Sequence, residues 1–108
     1  MKSRIVIVVY KPFPGKEKDL ERVVSTHLDV LRRENLVTDR KPIVMRAKGG
    51  SIIEIFEWLS PEAIESAHSN PNVLTLWNEF SSVCEYDKPV NVEEFHNLFS
   101  EFEPVSFN

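Results

Sequence analysis

The run Arg4–Tyr10, Arg-Ile-Val-Ile-Val-Val-Tyr, constrains the fold most. Its β-branched residues favour an extended chain, and apolar side chains fall on both faces of the resulting strand. A strand of that kind belongs in the middle of a sheet, covered on both sides. Lys11-Pro12-Phe13-Pro14-Gly15 then breaks it, because proline removes a backbone donor and glycine permits a turn.

From Lys16 to about Asn35 the apolar period changes from two to 3.6. Leu20, Val23, Val24, His27, Leu28 and Leu31 make one helical stripe, with Lys, Glu, Asp and Arg opposite. His27 is the only polar residue on the stripe. A polar connection, Asn35 to Lys41, ends at Pro42. Ile43–Lys48 and Ser51–Leu59 read as two strands joined through Gly49-Gly50. A two-residue turn sets Lys48 opposite Ser51, Arg46 opposite Ile53, Met45 opposite Glu54 and Val44 opposite Ile55. Ile43, Met45 and Ala47 then share a face with Ile52, Glu54, Phe56 and Trp58. Val44, Arg46 and Lys48 share the other with Ile53, Ile55 and Glu57.

Ser60-Pro61 opens a second helix, with serine as cap and proline in the first turn. Asn70-Pro71 interrupts it and caps a new turn, after which Val73, Leu76, Trp77, Phe80 and Cys84 keep helical spacing. Tyr86–Pro89 reads as a loop, Asn91–Glu94 as a short helical turn, and Phe99–Val105 as the last strand. The order is βαββαβ. It predicts an α+β, ferredoxin-like domain over residues 1–108, with a four-stranded antiparallel sheet in the order 4-1-3-2 and both helices on one face. The helices cover only one side of the apolar first strand. A second copy of the sheet is the economical cover for the other, so a homodimer is expected.

The single cysteine, Cys84, excludes an internal disulfide and any multi-cysteine zinc site. Ile5–Tyr10 is too short for a signal-peptide core or a membrane span, so a cytoplasmic location without membrane attachment is expected. Residues 1–50 carry twelve Lys/Arg against six Asp/Glu, whereas residues 51–108 carry one against eleven. In one domain that predicts two faces of opposite sign, suited to pairing across a two-fold axis, or an even spread over a solvated surface.

The segment Glu54-Ile-Phe-Glu-Trp58, then Ser60-Pro-Glu-Ala63, Ala67-His-Ser-Asn-Pro71 and Leu76-Trp77, resembles the third strand and second helix of the dimeric α/β-barrel superfamily, in its antibiotic-biosynthesis-monooxygenase-like (ABM-like) branch. Phe99–Val105 is similar to its fourth strand. The resemblance implies a dimer of facing sheets and a small pocket in each subunit between sheet and helices. Among its members some oxidise polycyclic phenols with neither metal nor flavin, others degrade haem, some isomerise small acids and many have no known activity; no cofactor is expected for this chain. Haem-degrading members use an Asn on the first strand, and this first strand has none.

Glu54 is a carboxylate alone on an apolar strand face. Burial there would suit it to general acid or base work, unless it reaches the sheet edge or pairs with an arginine. His27, on the helical stripe, faces the same space and can meet Glu54 as a catalytic pair, or serve as a hydrogen-bonded core histidine. Tyr10, Phe56, Trp58, Trp77 and Phe80 are candidates for an aromatic pocket or for core, with His68 at its mouth or at a helix end. His96 has no clear context. Arg46 and Lys48 can clamp an anion on the other sheet face, or bridge to Glu57. No two histidines have the spacing of a helical metal site, so no metal is expected. RNA-recognition domains share the strand order, but their third strand is basic, glycine-rich and aromatic. Here it is Ser-Ile-Ile-Glu-Ile-Phe-Glu-Trp, which argues against nucleic acid. Two functions follow: a monooxygenase-like or isomerase-like enzyme acting on a small aromatic or carbonyl compound, or a non-catalytic ligand-binding or accessory homodimer.

Overall fold

The structure, a computed structural model, describes residues 2–107. β1 (Arg4–Pro12) leads into α1 (Glu17–Arg33), and β2 (Ile43–Arg46) and β3 (Ile52–Trp58) form a hairpin. α2 (Pro61–Ala67) and α3 (Pro71–Val83) follow, then β4 (Cys84–Asp87), two 3-10 turns (Pro89–Asn91 and Glu93–His96), and β5 (Glu103–Pro104). The sheet order is β4-β1-β3-β2-β5. The expected antiparallel arrangement around β1 therefore stands, with one strand added at the β2 edge.

Local chemistry explains the helices. The six residues of the predicted stripe, Leu20, Val23, Val24, His27, Leu28 and Leu31, are the buried residues of α1. The Ser60 hydroxyl accepts from the Ala63 N–H at 3.1 Å, and Pro61 occupies the first turn. The Asn70 side chain accepts from the N–H groups of Asn72 and Val73, which restarts the chain as α3. Two apolar clusters fill the space between helices and sheet. One joins Tyr10, Ile52 and Val44 to Leu20, Val24, Leu76 and Phe80. The other joins Phe56 and Trp58 to Leu28, Leu31, Ala63 and Val73.

Three expectations are corrected. The strand beside β1 is Cys84–Asp87, pairing Tyr10 with Tyr86 and Pro12 with Cys84, and not Phe99–Val105. Cys84 lies four residues after Phe80 and donates its thiol to the Phe80 carbonyl at 3.2 Å, so it keeps helical spacing while already beginning the strand. Phe99, Phe102 and Val105 recur every three residues, which does not match the two-residue period of a strand. That segment contributes only β5, against β2.

The hairpin register is also shifted by one. Arg46 pairs with Ile52, Met45 with Ile53 and Val44 with Glu54. The loop has three residues, Lys48-Gly49-Gly50. The Gly50 N–H donates to Ala47 O, and Gly50 sits at φ +101, a conformation that closes such a loop and disfavours a side chain. Val44 and Arg46 consequently face the helices with Glu54. Arg46 pairs with Glu21 of α1 at 3.0 Å and Glu103 at 3.4 Å, so it clamps no anion on the open face. The Lys48 backbone N–H donates to Glu94 at 2.8 Å.

Finally, part of the open sheet face is covered by the chain itself. Val92, with Phe95 and Phe102, packs on Val9, Ile53, Met45 and Ile55. Ile5, Ile7 and Ile43 on the same face remain more than half exposed.

Candidate functional site

Residues at alternate positions of β1 and β3 face α1 together, because Val8 pairs with Glu54, Val6 with Phe56 and Tyr10 with Ile52. This periodicity puts the Glu54 carboxyl under the third turn of α1, where His27 projects. His27 Nδ1 lies 2.7 Å from Glu54 Oε1, and the Tyr10 hydroxyl donates to the same oxygen, also at 2.7 Å. Tyr10 and Glu54 are each 1% exposed, and His27 is 3% exposed. His27 and Glu54, candidates from separate elements, therefore meet.

Aromatic rings fix this cluster on its remaining sides. Phe80 stacks on Tyr10 with centroids 4.7 Å apart and meets the His27 ring edge-on at 5.1 Å. Phe56 meets the His27 ring edge-on from the sheet at 5.1 Å. Burial and the adjacent Glu54 carboxyl hold the Tyr10 hydroxyl well above its ordinary range, so it stays protonated and acts as a donor. Burial pushes Tyr86 up to about 12 and Cys84 up to about 11.

An oxygen that accepts from a tyrosine and also contacts Nδ1 is best satisfied as part of a carboxylate, with His27 carrying its proton on Nδ1. The other ring nitrogen, Nε2, has no hydrogen-bond partner among the described residues. His27 lines a cavity of about 330 Å3 between sheet and helices, together with Val6, Val8, Tyr10, Phe56, Trp58, Trp77 and Tyr86. This is the size of a small-molecule site, and its wall is almost wholly apolar. Tyr86, on β4, is 55% exposed at the rim.

Of the aromatic candidates, Tyr10, Phe56, Trp58 and Trp77 line the cavity. Phe80 is fully buried behind Tyr10 and His27 and does not line it. His68 is exposed, donates from Nδ1 to the Ile64 carbonyl at 2.8 Å and meets Trp77 edge-on at 5.2 Å, outside the lining. Glu54 is also behind the wall, touching His27 and not the cavity. His96 is exposed and donates from Nε2 to the Val90 carbonyl. Val6, Val8 and Tyr86 were missed. The two valines were legible as same-face neighbours of Tyr10, two and four residues away. Among the described residues no group of three His, Cys, Asp or Glu side chains converges on a point.

Solved structures place this architecture. SnoaB, a cofactor-independent oxygenase from Streptomyces nogalater, superposes with a TM-score of 0.67 at 15% identity, over 81% of this chain and 88% of that one. Rv0793 from Mycobacterium tuberculosis superposes with a TM-score of 0.62 at 16% identity, over 82% and 95%. The fold is the ABM-like one. No family model and no curated protein matches the sequence. The identities speak for fold alone, and the ABM-like sheet supplies β1 and β3 as the floor of the cavity just described. No helix among the described residues is long and apolar enough to cross a membrane.

Proposed function

We propose that this chain is a cofactor-independent, monooxygenase-like enzyme that acts on a small planar phenol in the cavity beside His27. The observation that carries the reading is the 2.7 Å contact between His27 Nδ1 and the buried Glu54 carboxyl, with the same imidazole on the wall of an aromatic cavity. Glu54 orients the ring and favours its Nδ1–H tautomer. Nε2 takes the hydroxyl proton of the bound phenol. The resulting phenolate is electron-rich, and dioxygen is the oxidant. One oxygen atom becomes a ring carbonyl, and the other leaves as water with two hydrogens from the substrate, giving a quinone. The aromatic cavity walls offer faces on which the planar ring stacks. The oxygenase description of SnoaB supports this reaction class at the level of fold.

The active species is a cytoplasmic homodimer of a single 1–108 domain, paired through the open sheet face. Support comes from Ile5, Ile7 and Ile43, which leave an apolar patch beyond the reach of the Val92–Phe102 cover. A 12.5 kDa species alone in light scattering at micromolar concentration would overturn the pairing.

The function is tested with a panel of naphthols and larger polycyclic phenols, followed by oxygen consumption and by calorimetric binding. Turnover is expected, with His27→Ala lowering it about 10²–10⁴-fold, the usual contribution of a positioned general base. Binding without oxygen consumption would favour a ligand-binding accessory dimer, and neither binding nor turnover would sink both readings.

A further inference from the structure

We infer that Tyr10 is a positioning residue whose hydroxyl sets the protonation state of the Glu54–His27 pair, keeping Nε2 of His27 bare toward the cavity. The inference rests on the proposed role of His27 as the base. It deepens that role by assigning the control of the pair to a third side chain.

The geometry carries it. Glu54 has one oxygen, Oε1, shared between the Tyr10 hydroxyl and His27 Nδ1 at 2.7 Å each, and no hydrogen bond to Oε2 among the described residues. The carboxylate is 1% exposed, so water offers it little stabilisation. Burial opposes a charge there, and two charge-assisted hydrogen bonds at one oxygen oppose that penalty. Without the Tyr10 donor the penalty is balanced by the histidine alone. The pair then takes up a proton more readily, whichever of its two members holds it. A proton on either member removes the function: imidazolium has no free Nε2 lone pair, and a neutral Glu54 no longer requires the Nδ1–H tautomer.

No charged side chain takes the place of the Tyr10 hydroxyl. β4 turns Cys84 and Tyr86 to this face, both pushed up and neutral, while its carboxylates Glu85 and Asp87 alternate to the other face. β2 presents Val44 opposite Glu54, and Arg46 on the same face is held by Glu21 and Glu103. β3 contributes Ile52 and Phe56 to this face, α3 contributes Phe80, and α1 contributes Leu20, Val23 and Val24 beside His27. Tyr10 itself is immobilised. Its ring stacks on Phe80 and its strand is paired on both edges, with Ile52 and with Tyr86.

The test reads the histidine ring directly and needs no substrate. The full chain, labelled with 15N-histidine, is titrated by NMR as wild type, Tyr10→Phe and Tyr86→Phe. His68 and His96, both exposed, serve as internal references, and loss of a signal in His27→Gln assigns position 27. In wild type the His27 shifts should report a protonated Nδ1 and a bare Nε2 at the alkaline end of the curve. Tyr10→Phe keeps the ring on Phe80 and should raise the midpoint of the His27 curve by about one pH unit. That is about tenfold in proton affinity, the size expected for one hydrogen bond to a charged group. Tyr86→Phe should leave the curve in place. Should Tyr10→Phe fail to fold, 3-fluorotyrosine at position 10, a stronger donor, should move the midpoint the other way. A Tyr10→Phe curve that superimposes on wild type, or a fluorotyrosine curve unmoved, overturns the inference. The outcome is separable from the proposed function. If no phenol binds or is consumed but the curve moves, the positioning role stands and the oxygenase reading falls. If phenols are consumed and the curve does not move, the reverse holds.

Discussion

Replacing Glu54 with leucine removes the acceptor and leaves its two partners in place. Leucine nearly matches the volume, so the change isolates the polar cost. The Tyr10 hydroxyl and the His27 Nδ1–H are then buried donors with nothing to bond. Each orphaned donor costs about 1–3 kcal/mol, so Glu54→Leu should destabilise the chain by roughly 2–6 kcal/mol. A domain of this length is stable by about 5–15 kcal/mol in all, so the loss is a large share. The informative variant is the second one. In the wild-type background Tyr10→Phe removes a charge-assisted bond and should destabilise. In the Glu54→Leu background it removes an orphan instead, and should restore about 1–3 kcal/mol. The same substitution therefore changes sign with its neighbour. Urea unfolding followed by the fluorescence of Trp58 and Trp77 gives both legs of the cycle, with slopes checked for constancy. If Tyr10→Phe costs the same in both backgrounds, the two groups are not coupled and the network reasoning fails.

Further consequences follow from the titrating groups and the backbone. Tyr10 and Tyr86 are the two tyrosines, and both bind their protons more tightly in the folded chain, as does Cys84, raised from 9.0 to about 11. Their contribution to stability is full below the unfolded values and is lost as pH rises through about 9–12. Tyrosinate absorbance should accordingly stay low in native protein at pH 10.5 and rise when urea is added. An equal signal in both states would contradict the burial argument. Asn70→Ala removes the cap that accepts from Asn72 and Val73, and should cost about 1 kcal/mol in thermal or urea unfolding. Gly50→Ala meets no atom within 4 Å, so its expected cost of about 1–2 kcal/mol comes only from the left-handed backbone. A neutral result in unfolding would mean the loop relaxes.

The fold was legible where one periodicity persisted long enough to be unambiguous. The α1 stripe named all six residues that are buried, and the capping residues Ser60 and Asn70 marked the starts of α2 and α3. β4 was not legible, because Cys84-Glu-Tyr-Asp87 is four residues long, polar at its exposed positions and continuous in spacing with the helix before it. The hairpin register turned on one loop residue, and the sequence Lys48-Gly49-Gly50-Ser51 serves a two-residue or a three-residue loop equally well. Half of the site followed from faces. Glu54 and His27 each stood out as a polar residue on an apolar surface, and elements that pack must bring such residues near one another. Which of them lines the cavity is set by the packing and not by the pattern: His27 reaches the wall, and Glu54 stops one contact behind it. Tyr10 looked like an aromatic liner, and its hydroxyl bond to Glu54 became visible only once Tyr10–Ile52 and Val8–Glu54 were in register.

The stretch that follows α3 has an influence out of proportion to its regular structure. The run from Cys84 to Pro104 supplies β4 at one edge of the sheet, lays Val92, Phe95 and Phe102 across one face, and ends as β5 at the opposite edge. During synthesis, β1 leaves the ribosome well before β4 and must wait until Asp87 has emerged before its outer edge is paired. The strand most prone to pair with a stranger is thus the one left open longest, and Ile5 and Ile7 stay exposed even afterwards. Closure of such a distant loop slows folding as well. Premature termination near Lys88 would leave Val9 and Ile53 bare along with them, and the expected fate of that fragment is aggregation or proteolysis rather than a weakened but folded domain.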